Sequence, residues 1–141
     1  MATTLFGRMS ENLLWKSNQV GTRLTLALGE FCWAVMLFWP GNTFDRPTYS
    51  HMHSVMTEEW WACLFLWSAF TQVYIVVKDR YHTFWSWQFA GWNFLLWFYT
   101  VCSMLASVYP PPAAIGGEIA LTVSAGWIWL RPLITKNFNK Y

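Results

Sequence analysis

Apolar residues fall into four long runs separated by short polar breaks, and this pattern predicts an all-α integral membrane protein. The first run ends at Trp39, where Pro40-Gly41 stops it, and spans residues 20–39. The second covers 60–77 and closes at Lys78-Asp79-Arg80. The third covers 84–108, longer than the roughly 20 residues a bilayer needs, which predicts a tilted helix. A triproline, Pro110 to Pro112, makes a stiff turn into the fourth, 113–130, which Arg131-Pro132 is expected to end. Residues 131–141 form a short basic tail. Residues 40–59 are the longest polar connection. At its end Thr57-Glu58-Glu59 resembles a helix start, a hydroxyl cap followed by carboxylates at the positive helix end.

Ahead of the first span, residues 4–18 read as an amphipathic interfacial helix. Phe6, Met9 and Leu13 share one side, with Arg8, Glu11, Asn12 and Lys16 on the other. A helix packed on the protein's own spans fits the same pattern. The segment is polar and mixed in charge, without the compact apolar core of a cleavable leader, so the first span is expected to act as a signal anchor.

Charge sets the orientation. Arg8, Lys16, Arg23, Lys78, Arg80, Arg131, Lys136 and Lys140 fall on one side of the four-span arrangement, and of the 9 Lys and Arg only Arg46 falls on the other. The positive-inside rule then predicts an antiparallel four-helix bundle with both termini cytoplasmic, in a bacterial inner membrane. Arg23, near the inner end of span one, is expected to snorkel towards the interface.

Composition adds two points. Charged residues make up 11% of the chain and aromatics 21%, with 12 Trp, as expected of a protein that meets both membrane interfaces. The net charge of +2, without a Lys/Arg run, gives no reason to expect a nucleic-acid partner. Cys32, Cys63 and Cys102 all lie in apolar spans and are expected to pack as small apolar residues.

Candidate chemistry centres on polar residues within the spans. Glu30 sits near the middle of span one, on a stripe with Ala27 and Ala34. Gln72 in span two and Asn93 in span three fall roughly 5 Å towards the cytoplasm from the midplane, and Glu118 in span four roughly 6 Å towards the outside. Ser68 shares a face with Gln72. In span three Ser86, Asn93, Thr100 and Ser107 recur every seven residues, which keeps them on nearly one face. Glu30, Gln72, Asn93, Glu118, Ser68 and Thr100 are therefore the predicted intramembrane polar site. With no cation expected at its depth, Glu30 favours the neutral acid, with Gln72 or Asn93 as its partner. Such a layer serves as interhelical glue or as a proton-loading site. His51 and His53, near acidic residues in the outer loop, are the residues a metal would use. Their spacing does not put them on one helical face, so no metal site and no cofactor are expected.

Gly116-Gly117 with Ala120 and Ser124 forms a small-residue ridge that predicts close packing of span four on another helix, within the chain or in a second copy. No GxSxG, P-loop, HExxH or GxGxxG motif occurs, so no enzyme activity is expected. In layout alone, through four spans and Glu30 in the first, the chain resembles the small multidrug resistance transporters. The stretch ALGEFCW is not that family's motif, and the N-terminal helix and outer loop are additional. Two functions are expected from these features. One is a membrane protein acting by self-association or on another membrane protein, such as a holin-like pore-forming or lysis factor of phage or a modulator of a membrane complex. The other is a small proton- or cation-coupled transporter or channel using Glu30. The partners expected are the lipid bilayer and a homo-oligomer or other membrane protein.

Overall fold

A computed structural model describes residues 2–39, 43–80, 84–107 and 115–138, with side chains described for 18–39, 43–80, 84–107 and 115–131. The triproline turn, His82 and the side chains of the N-terminal segment and of the tail beyond Arg131 lie outside these residues. Five helices account for most of the chain: α1 (Ala2–Phe38), α2 (Ser50–Val55), α3 (Glu58–Val77), α4 (Phe84–Ser107) and α5 (Ile115–Phe138). Among the described residues there is no strand. Among the described residues three segments are long and apolar enough to cross a membrane: Asn18–Phe38, Glu58–Val77 and Phe84–Ser107.

Two boundaries differ from expectation. The N-terminal amphipathic helix is not a separate element, because α1 runs on as one helix of 37 residues. No Pro or helix-breaking cluster separates Ser17 from Leu24, and the lone Gly21 is tolerated within the helix. Arg131-Pro132 does not end the last helix, which continues to Phe138. Proline removes one helical N–H donor and crowds the carbonyl four residues before it, a cost that this helix bears without ending. α3 ends as expected: Asp79 adopts φ 52° and the Arg80 N–H donates to Ile75 O at 3.1 Å, closing the helix with a left-handed residue.

The long helices pair unequally. α1 runs closely along α3 and α4 along α5, while α1 and α5 touch over a shorter stretch. Between the two pairs the gap is filled by rings. Trp61 stacks on Tyr99 at 5.6 Å and Phe65 packs on Trp97 at 5.3 Å, while at the surface the exposed Trp67 meets Phe89 edge-on at 5.4 Å. The glycines that permit close approach are not those of the predicted ridge. A Cβ on Gly91 would come within 2.8 Å of Trp129 Nε1, and one on Gly126 within 3.0 Å of Phe94, so these two admit α5 against α4. Gly116 and Gly117 meet nothing within 4 Å. Cys32, Cys63 and Cys102 all face outwards, exposed on the outside of the bundle instead of packing within it.

The polar connection after α1 folds into a cap. Two short 3-10 turns, Thr43–Asp45 and Pro47–Tyr49, lead into α2, and Phe44 and Met52 are buried among the bundle's side chains. Thr57 has the extended backbone of a cap residue but makes no side-chain cap bond. Glu58 reaches back instead, accepting the N–H of Thr43 at 3.0 Å and of Phe44 at 3.4 Å. The Trp61 indole donates to Met52 O at 3.0 Å, tying α2 to α3.

Candidate functional site

The inward face of α1 carries Gln19, Arg23, Ala27, Glu30 and Ala34, spaced three or four residues apart as a helical stripe requires, and all are buried. The alanines bring neighbouring helices close to the polar side chains between them. The stripe therefore presents a cation and a carboxyl two helical turns apart, about 10 Å along the axis.

At the centre, Glu30 is 0% exposed. Ser68 Oγ of α3 lies 3.0 Å from Glu30 Oε1 and 2.9 Å from Asn93 Oδ1 of α4. The Asn93 amide donates to Phe89 O at 3.1 Å, which fixes its oxygen towards Ser68. A serine hydroxyl has one proton to donate, yet two oxygens face it. If Glu30 were ionised, one of those contacts would be acceptor against acceptor. With a proton on Glu30 Oε1 the chain closes: Glu30 donates to Ser68, and Ser68 donates to Asn93. The geometry thus fits a protonated Glu30 in the closed bundle.

Below this layer Arg23 turns inward instead of snorkelling. It is 1% exposed, and its guanidinium donates to Gln72 Oε1 at 2.8 Å and Ser86 Oγ at 2.8 Å, with longer bonds to Gln19 Oε1 and Ser86 O at 3.4 Å. One cation therefore fastens α1 to both α3 and α4. Burial is supported by the number of oxygens it reaches, since a guanidinium carries five donors in a fixed fork.

Above the centre the arrangement is looser. Trp97 of α4 is fully buried beside Glu30, but neither Trp97 Nε1 nor Glu30 Oε2 has a partner at hydrogen-bond distance. Trp97 meets Trp33 of α1 edge-on at 6.1 Å, and Trp33 in turn acts on Glu118 of α5. Glu118 is 8% exposed, and its Oε2 also lacks a partner. Tyr49, from the second 3-10 turn, packs edge-on against Trp33 at 5.9 Å. Its phenol is pushed above its ordinary value, first by burial and then by Glu118, with Arg46 pulling it down. Two carboxyls thus stand at the two ends of an indole pair, and the cap reaches the outer one.

The predicted polar residues are all buried, but they divide among three layers. Glu30, Ser68 and Asn93 meet; Gln72 is bonded to Arg23 and not to Glu30; Glu118 stands apart in the outer layer. Thr100 donates to Leu96 O of its own helix at 2.9 Å, and Ser86, of the same seven-residue repeat, belongs to the Arg23 layer. His51 and His53 are exposed on α2, and among the described residues no three metal-ligating side chains gather. Sequence reasoning missed Arg23, Trp33 and Trp97 as members of the site. The spacing of Gln19, Arg23 and Glu30 on one helical face was the available signal for the arginine; nothing in the sequence separates Trp97 from Trp67 or Trp92, which are exposed on the outside. The chain matches no family model, no curated protein and no solved structure in comparisons with known proteins.

Proposed function

We propose that the chain is a proton-coupled transporter or channel of the bacterial inner membrane, with Glu30 as the group that loads and releases the proton. In this reading α5 is the fourth span of an antiparallel bundle, and both termini are cytoplasmic, as the distribution of Lys and Arg requires. The observation that carries the reading is the single proton of Ser68 facing two acceptors, which is satisfied when Glu30 is neutral. Admitting water to that layer would satisfy the ionised form and release the proton. A group with two satisfied states, one dry and one wet, is what coupling to a conformational change needs. Liposome flux comparing wild type with Glu30→Gln tests it: flux that depends on pH and vanishes in the variant is expected. Equal flux in both proteins, or none in either at any pH, overturns it.

A second reading, self-association or binding of another membrane protein, is favoured by a separate feature. Gly116, Gly117 and Ala120 are exposed on α5, and the space around both glycines is open. Such a ridge lets a second helix approach closely. A strict monomer in mild detergent, with no partner co-purifying, would count against this reading.

A further inference from the structure

We propose that Glu118 is the outer exchange station for the Glu30 proton, so that Glu30 exchanges its proton with the outside and not with the cytoplasm. The inference rests on the proton-coupled reading above and adds the side of exchange, the second carboxyl and the residue that closes the other end.

Three observations carry it. First, the atoms lacking a protein partner on the outer side of the Ser68 layer are two carboxyl oxygens and one donor between them: Glu30 Oε2, Trp97 Nε1 and Glu118 Oε2. Buried polar atoms of this kind are ordinarily served by water. An indole N–H only donates, so Trp97 would hold a water by its oxygen and leave both water protons free to point at carboxylates. Second, the two carboxyls are joined by packed rings, Trp97 beside Glu30 and Trp33 beside Glu118, with the indoles 6.1 Å apart. Third, the inner side carries a fixed positive charge. Arg23 lies on the Glu30 face of α1 and is held by Gln72 and Ser86, so a hydronium or metal cation approaching from that side meets a buried guanidinium.

The proton balance is simple. A hydronium from outside protonates the Glu118 carboxylate. Glu118 then gives a proton to the intervening water as that water gives one to Glu30 Oε2, leaving Glu118 ionised and Glu30 neutral. Rotation about the last torsion of Glu30, which is two-fold for a carboxyl, brings the protonated oxygen round to Ser68. Among the described residues, the charged or titratable groups facing this path are Arg23 from α1, and Tyr49 and Arg46 from the cap. α3 contributes neutral Ser68 and Gln72, and α4 neutral Asn93 and Trp97. Tyr49 packs on Trp33 and acts on Glu118, so the cap is the element through which the outside reaches the station.

The test reads Glu30 directly. In liposomes with one protein orientation, the infrared C=O stretch of the protonated acid, assigned by its loss in Glu30→Gln, is followed after an acid jump outside or inside. Protonation from outside is expected to be faster by about ten-fold or more. Glu118→Gln should slow the outside rate by a similar factor without changing the final band, Glu118→Asp should recover part of it, and Arg23→Gln should speed the inside rate. Equal rates from the two sides, or an outside rate unchanged in Glu118→Gln, overturn the inference while leaving the role of Glu30 intact. A Glu30 band that responds to no pH change overturns both.

Discussion

The Arg23 end and the Glu118 end of the buried seam use different polar residues to opposite effect. At the inner end every oxygen that meets Arg23 is held at hydrogen-bond distance, and one guanidinium joins three helices. At the outer end two carboxyls and an indole leave polar atoms without a protein partner, although rings pack tightly around them. The difference is a difference of chemistry. A guanidinium presents many donors to acceptors that polar spans readily supply, whereas carboxyls need donors, and few are available there. Among the described residues the Arg23 end leaves one buried polar atom, Gln72 Nε2, without a protein partner, against three at the other end.

The comparison is broken most severely by Arg23→Met. It removes the guanidinium from Gln72 and Ser86 and leaves their oxygens buried. Unfolding in mixed micelles is expected to show a loss of about 2–3 kcal/mol, since contacts of this kind contribute ~0.6–1.7 kcal/mol each and orphaned acceptors add to it. Ser68→Ala should cost less, about 1 kcal/mol, by taking the shared hydroxyl from Glu30 and Asn93. Glu30→Gln, measured the same way, should change stability by no more than ~0.5 kcal/mol, because an amide can still donate to Ser68. A large destabilisation in Glu30→Gln would mean that Glu30 is ionised in the folded state.

Two smaller effects sharpen the picture. Gly91→Ala should cost about 1 kcal/mol as Trp129 is pushed aside, whereas Gly116→Ala in the monomer should be neutral or slightly stabilising, because its Cβ enters open space. A cost at Gly116 would instead reveal a second copy on that face. The smallest effect concerns the cap. The Tyr49 phenol is raised in the folded state, so its contribution is present below the ordinary value of 10.0 and is lost as pH rises past it. Protection of the amides in residues 43–55, measured against the base-catalysed rate of the unfolded chain, should therefore fall at alkaline pH, and Tyr49→Phe should remove that step.

Much of the fold was legible because long apolar helices advertise themselves by length and by their breaks. The ends of α3 and α4 fall within two residues of the apolar runs that predict them. The seven-residue repeat in α4 placed Ser86, Asn93 and Thr100 on one buried face. Pairing was not legible. Both Gln72 and Ser68 lie on the inward face of α3, and one helical turn decides that the first meets Arg23 and the second Glu30.

The sequence by itself determined that the chain is helical, that it holds segments long and apolar enough to cross a membrane, and that Glu30 would need neighbours. Hydropathy and periodicity are properties of one segment at a time, so each can be read without knowing what lies opposite. Only the tertiary structure decided that Arg23 turns inward, that the loop before α3 caps the bundle, and that Trp97 rather than Trp92 stands beside Glu30. Those outcomes depend on which helix faces meet. A hydrogen bond or a ring contact is settled by a few ångströms between segments far apart in the chain, and no single segment encodes that distance.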